Sequence, residues 1–174
     1  MEKISKKEAR KRPEKDIYYL SIARQIAKRA TCLRRRFGAI IVKDDAIVAS
    51  GYNGAPRKMP NCIDLDKCPR ELLGISQGER YELCRGVHAE ANAIINAARV
   101  GANVLDGIMY VFGEDNNGKV VSGRPCKMCR RLIINAGIKE VVVPWEGKAK
   151  RYKVENWIKE AKKDPFLELK EKGY

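Results

Sequence analysis

The chain contains one histidine, two glutamines, three phenylalanines and two tryptophans. Nowhere does it have a run of about 18 apolar residues, which excludes an ordinary membrane-spanning helix. Its opening, MEKISKKEARKRPEK, lacks the apolar stretch that a secretory leader needs, so no membrane partner and a cytoplasmic location are expected. In a reducing compartment the six cysteines make a poor disulfide framework, and 174 residues bury enough surface to need none. Metal ligation, a reactive thiol or simple packing remain, and spacing has to decide among them.

Positive charge is plentiful: 36 Lys and Arg stand against 22 Asp and Glu, a net +14. Such an excess suits an anionic partner, whether nucleotide, nucleic acid or phosphorylated surface. A Lys- and Glu-rich chain with only Gln25 and Gln77 also has the balance of surfaces laced with ion pairs for high temperature. Charge alone therefore identifies no function.

Residues 1–13 read as a basic solvated tail closed by Pro13, and 14–174 as one domain without repeats. From Glu14 to Arg29, Ile17, Leu20, Ile22, Ala23, Ile26 and Ala27 recur at helical spacing. The runs FGAIIVK (37–43) and AIVASGY (46–52), joined by Asp44 and Asp45, predict a hairpin. Residues 53–86 lack periodicity and hold three cysteines with Pro56, Pro60 and Pro69; so long an irregular loop needs a function or a cross-link. HAEANAIINAARVG then reads as a helix ending at Gly101, GIMYVFG as a strand and EDNNGKVVSG as a hairpin excursion. CKMCRRLIINAG reads as a helix stopped by Gly137, KEVVVPW as a buried strand, and 151–174 as a basic helical tail broken at Pro165. This order predicts an α/β sandwich, with a mixed sheet and helices on both faces.

Chemistry concentrates at two helix starts. His88-Ala89-Glu90 opens one, and Pro125-Cys126-Lys127-Met128-Cys129 opens the other. Cysteines three apart share a helix face, and a helix N-terminus favours thiolate over thiol. With His88, the only histidine, Cys126 and Cys129 make three zinc ligands, and a fourth position left open marks a catalytic rather than a closed site. Hydrolysis at such a site needs a proton carrier that is not itself a ligand, and Glu90 is placed for it. A lone CxxC could be a redox pair or half a structural site, and a lone HxE arises often by chance; together they form the signature of zinc-dependent base deaminases.

From about Asp16 to Trp145 the chain resembles the deoxycytidylate (dCMP) deaminase family of the cytidine deaminase superfamily. The resemblance rests on Phe37-Gly38-Ala39-Ile40-Ile41-Val42, Gly51-Tyr52-Asn53-Gly54-Ala55-Pro56, His88 to Ile94, Met109-Tyr110-Val111, Pro125-Cys126 and Ala136 to Val141. It implies a three-layer α/β/α sandwich on a four- to five-stranded mixed sheet, and zinc-dependent conversion of dCMP to dUMP and ammonia, which supplies thymidylate synthesis. It further implies a homo-oligomer, dCTP and dTTP as effectors, Asn53 on the sugar 3′ hydroxyl and the Ala89 N–H on the pyrimidine carbonyl. Arg34, Arg35 and Arg36, read as a loop before the first strand, could hold the 5′ phosphate; as a basic run they also read as a solvated face. Some members carry a second zinc at positions matching Cys32 and Cys62, and Cys68 and Cys84 would complete a closed four-thiolate set here. Two departures stand out. FGEDNNGKVVSGR lengthens the link before Pro125, putting Arg124 where a small hydroxyl residue is usual, and the chain ends where a last strand would be expected, leaving a sheet one strand short.

Deamination of another cytosine nucleotide is one alternative, deamination of a base in RNA or single-stranded DNA is a second that +14 would suit, and a non-catalytic zinc module that binds nucleic acid is a third. The loop 53–86 has only Tyr81 on which to stack a base, which disfavours nucleic acid, and a structural zinc would not need Glu90.

Overall fold

The computed structural model describes residues 12–76 and 78–163. Most of the predicted tail, 1–11, and the break at Pro165 lie outside them. Helix α1 (Lys15–Ala27) leads to strands β1 (Arg35–Lys43) and β2 (Ala46–Tyr52), then to two short helices, α2 (Cys62–Leu65) and α3 (Pro69–Leu72). Helix α4 (Ala89–Arg99), β3 (Ile108–Asp115), α5 (Lys127–Asn135), β4 (Glu140–Trp145), β5 (Lys148–Lys153) and α6 (Val154–Lys163) complete the order. The five strands form one sheet ordered β2-β1-β3-β4-β5, in which only β3 and β4 run parallel.

Alternation along the central strands splits the core in two. Ile40, Val42, Tyr110 and Phe112 meet Tyr19, Leu20, Ala23 and Ala27 of α1 on one face. Ala39, Ile41, Met109 and Val111 meet Ala89 and Ala93 of α4, Ile133 of α5 and Trp157 of α6 on the other. The expected α/β/α sandwich is therefore present, with α1 the one helix on its face among the described residues. Gly38 makes that cover close: a Cβ there would come within 2.2 Å of the Ala23 carbonyl oxygen.

The β1–β2 hairpin turns where expected, with Asp44 and Asp45 both in the left-handed region, as a two-residue primed turn requires. Arg35 and Arg36 belong to β1 rather than to the preceding loop. The predicted excursion after β3 is a tight turn with no full returning strand: Asp115 N–H donates to Lys119 O at 2.9 Å, and a single bridge joins Glu114 to Val120.

The end of the chain needs correction. Residues 148–153 form the strand β5, not the start of a helix, so the sheet is not one strand short. Glu146 and Gly147, both at positive φ, make a two-residue turn from β4 into β5. The helical expectation holds only from Val154. No helix of the described residues is long and apolar enough to cross a membrane.

Candidate functional site

Two helix N-termini converge. His88 is the N-cap of α4 and Cys126 the N-cap of α5, with Cys129 in the first turn of α5. His88 Nδ1 lies 3.4 Å from the Sγ of Cys126 and 3.4 Å from that of Cys129, and the three donor atoms all fall within 4.8 Å of one another. Zinc bonds of about 2.1 Å to nitrogen and 2.3 Å to sulfur at a tetrahedral angle put such donors roughly 3.6 Å apart. One imidazole and two thiols at this spacing therefore fit zinc, in number, chemistry and separation.

The sequence builds this convergence through close backbone packing. A Cβ on Gly51 would sit 2.3 Å from the Ala93 nitrogen and 2.6 Å from the Ala89 oxygen, so a side chain at this position of β2 would push α4 away. Asn92 and Asn96 fasten the helix by donating from Nδ2 to the carbonyls of Tyr52 and Ser50, each at 2.8 Å. On the other side Arg130 Nε donates to Pro125 O at 3.1 Å, and its guanidinium lies over the Trp157 ring.

Glu90 is buried, 6% exposed, in the first turn of α4. Burial raises its pKa above the usual carboxylate range, against the nearby His88 charge and a hydrogen bond from its own N–H. The hydrogen bond from Cys129 lowers the Cys126 thiol to about 4, with burial opposing and His88 assisting. Cys129 correspondingly keeps the shared proton. Burial works to lower the His88 pKa, but its hydrogen bond to Cys126 and the nearby Glu90 and Cys126 charges outweigh that and raise it.

His88, Glu90 and Cys126 open onto a cavity of about 520 Å³, lined also by Asn53, Ala89, Arg34, Arg35 and Arg124. Ala89 is the first residue of α4, where an N–H has no partner within the helix. The Asn53 side chain reaches back to β1, accepting from Phe37 N–H at 2.7 Å and donating to Arg35 O at 3.0 Å. That leaves one amide hydrogen and one lone pair for another partner. Arg34 pairs with Glu71 at 3.3 Å. Arg36 does not line the cavity; it points to Glu114, 3.8 Å away. Alternation explains the split, since neighbours on a strand face opposite ways.

Cys32, Cys62, Cys68 and Cys84 line the same cavity, away from His88 in sequence except for Cys84. Burial raises the Cys62 thiol, and Cys32, Cys68 and Cys84 raise it further against Arg85, so all three lie within electrostatic reach of it. Two of the sulfurs accept a backbone N–H from two residues on, Cys32 from Arg34 and Cys84 from Gly86, both at 3.4 Å. The four are not drawn as close together as His88, Cys126 and Cys129.

Sequence reasoning passed over Arg70 and noted Tyr81 only as the lone aromatic of its loop. Tyr81 stands edge-on to His88, and Arg70, 6% exposed, lies over the Tyr81 ring. Both come from the irregular loop, where no periodicity marks a side chain as inward. The only hint was an arginine one residue after Cys68-Pro69.

Residues 13–144 match the zinc-binding region of cytidine and deoxycytidylate deaminases. The deoxycytidylate deaminase of Mycobacterium phage D29 is 37% identical over 140 residues, which cover 78% of this chain and 98% of that protein. That of Schizosaccharomyces pombe is 38% identical over 133 residues, covering 75% of this chain but 37% of the longer relative. Among solved structures, the dCMP deaminase of cyanophage S-TIM5 in complex with dCMP and dUMP aligns with a TM-score of 0.57 at 25% identity, covering 76% of this chain and 82% of that one.

Proposed function

This chain belongs to the cytidine and deoxycytidylate deaminase zinc-binding family, and from that premise we propose that it hydrolyses dCMP to dUMP and ammonia. The observation that carries the proposal is the meeting of His88, Cys126 and Cys129 around one point, with the buried Glu90 carboxylate against Cys129. His88, Cys126 and Cys129 would hold zinc, which when bound makes water nucleophilic near neutral pH. Glu90 takes the two protons of the attacking water in turn and delivers one to ring N3 and one to the 4-amino nitrogen, which leaves as ammonia while the water oxygen becomes the C4 carbonyl. Its raised pKa suits a group that must both accept and release a proton. The Ala89 N–H binds the pyrimidine carbonyl, Asn53 the sugar 3′ hydroxyl, and arginines at the mouth of the cavity the 5′ phosphate.

A second, structural zinc is held by Cys32, Cys62, Cys68 and Cys84. Its support is the gathering of three thiols about Cys62 and the N–H donors aimed at two of the sulfurs, which stabilise thiolate. The enzyme works in the cytoplasm as a homo-oligomer and responds to dCTP and dTTP, with the GYNG segment (51–54) as the place where an effector would act.

A panel of dCMP, dCTP, CMP, deoxycytidine and a C-containing oligonucleotide, followed by ammonia release, tests the reaction. dCMP is expected to be turned over fastest. Preferred turnover of the oligonucleotide, or none of any compound by zinc-loaded protein, would overturn the proposal.

A further inference from the structure

Arg70 is a buried cation held by a carbonyl and an aromatic ring, with no carboxylate paired to it among the described residues. It enters from α3 with 6% of its surface exposed and lines the cavity shared by His88 and Glu90. Its Nη2 donates to Ser76 O at 2.7 Å, while its Nε is buried without a hydrogen-bond partner. No carboxylate among the described residues forms an ion pair with it, and Glu82 senses it only at longer range. The neighbouring Arg34, by contrast, is engaged by Glu71. Burying an unpaired charge is costly, so the fold retains it for an anion that arrives later.

The surroundings indicate which anion. Arg34, Arg35, Arg70 and Arg124 line the cavity, and Glu90 is the only carboxylate among its lining residues. A second polar atom, Thr31 Oγ1, is also buried there without a partner. The guanidinium carbon of Arg70 lies 4.9 Å from the Tyr81 ring centre, and that ring lies 4.8 Å from the His88 ring, so two short steps separate the guanidinium from the imidazole. The two distances place the guanidinium carbon at most 9.7 Å from the imidazole centre, a gap that one bound nucleotide can span. A base held at Glu90 would carry its 5′ phosphate toward Arg70, whose planar fork of donors matches phosphate oxygens.

We infer that Arg70 receives the 5′ phosphate and makes this cavity select a nucleotide over a nucleoside. The inference rests on the cavity being the deaminase site proposed above. Arg34, Arg35 and Arg36 are then not the main phosphate contact, and the inserted loop has a role in substrate recognition.

Two readouts test it, one of them independent of turnover. The first is the ratio of kcat/KM for dCMP to that for deoxycytidine. Arg70→Gln should lower this ratio by about thirty- to a hundredfold, as expected for losing a charge-assisted contact. Arg70→Lys keeps the charge but not the fork and should lower it by about fivefold or more. The second is calorimetric binding of dUMP against deoxyuridine, where the wild-type preference for dUMP should disappear in Arg70→Gln. A merely structural Arg70 would weaken both members of each pair alike, leaving the ratios unchanged, and that result overturns the inference. So does a wild type that binds dUMP no better than deoxyuridine. Should Arg70→Gln fail to fold, Arg70→Lys decides by the same ratios. Arg70-dependent binding of dUMP in a protein that never releases ammonia from dCMP would instead sink the proposed reaction and leave this site standing.

Discussion

Tyr81 stands edge-on to His88, with ring centres 4.8 Å apart and planes at 86°. A residue of the irregular loop thus packs directly against a candidate zinc ligand. The loop between β2 and α4 is a wall of the reaction cavity and not a decoration of its mouth. It brings Cys62, Cys68, Arg70, Tyr81 and Cys84 to the space that α4 and α5 face from the sheet.

Glu90 is the group whose removal should separate chemistry from metal binding. Glu90→Gln preserves shape and leaves His88, Cys126 and Cys129 in place, but an amide cannot accept the proton. The rate should fall at least about a hundredfold while the zinc content stays that of wild type. Steady-state kinetics beside elemental analysis of the same sample makes the comparison. Activity near that of wild type would remove Glu90 from the mechanism.

How much of this was legible in the sequence follows from how each feature is encoded. The meeting of His88, Cys126 and Cys129 was readable because His88 is the only histidine and sits in a motif, and because cysteines three apart share a helix face whatever the fold does. The β1–β2 hairpin was readable from two β-rich runs and a pair of aspartates. Strand β5 was not. Its sequence, KAKRYK, is mostly exposed at the sheet edge and lacks the apolar alternation that marks a half-buried strand, though Gly147 was a turn signal in plain sight. The division of Arg34, Arg35 and Arg36 between cavity and Glu114 required strand register, and a loop boundary misplaced by two residues hid it. Arg70 and Tyr81 depend wholly on tertiary packing.

Gly51 should tolerate no side chain. Any Cβ there meets backbone atoms of α4 at 2.3 to 2.7 Å, and backbone cannot rotate aside as a side chain can. Gly51→Ala is expected to cost on the order of 1–3 kcal/mol in denaturant unfolding. It should also weaken zinc retention, because α4 carries His88 at its N-cap. A variant as stable as wild type, with unchanged zinc, would show that α4 is not held by this contact.

Arg151 ties the unforeseen strand to the rest of the molecule. From β5 it makes two hydrogen bonds to Asp16 of α1, at 2.6 and 3.0 Å, and pairs with Glu140 of β4. Asp16 also accepts from the buried Tyr110 hydroxyl at 3.0 Å, so it keeps one partner when the arginine goes. Because the arginine is 40% exposed, water screens part of the interaction. Arg151→Ala should therefore cost about 1–2 kcal/mol, between the values for exposed and buried pairs. The difference should shrink in 1 M salt, where screening acts over about 3 Å. Denaturant midpoints at two salt concentrations provide the check, and a salt-independent loss would point to packing of the arginine stem instead.

The loop thiols set the last expectation. Four cysteines scattered for packing alone would fall mostly within helices and strands, where small apolar residues belong. Cys32, Cys68 and Cys84 instead sit outside them, and Cys62 opens a helix of four residues. They nevertheless meet around Cys62, whose thiol is raised by burial and then by the other three. A thiol held up by burial and by three neighbouring thiols is poorly accommodated as a free anion, and a divalent ion bound by all four removes the conflict. With a closed four-sulfur site and the His88 site both filled, wild type should hold two zinc ions per chain and Cys62→Ser one. Cys62→Ser should also melt at a lower temperature and lose activity, since Tyr81 and Arg70 ride on the same loop. Mass spectrometry under native conditions counts the ions directly. One zinc in fully loaded wild type and no change in Cys62→Ser would leave these four residues as free thiols and the order of the loop to Arg70, Ser76 and Tyr81 alone.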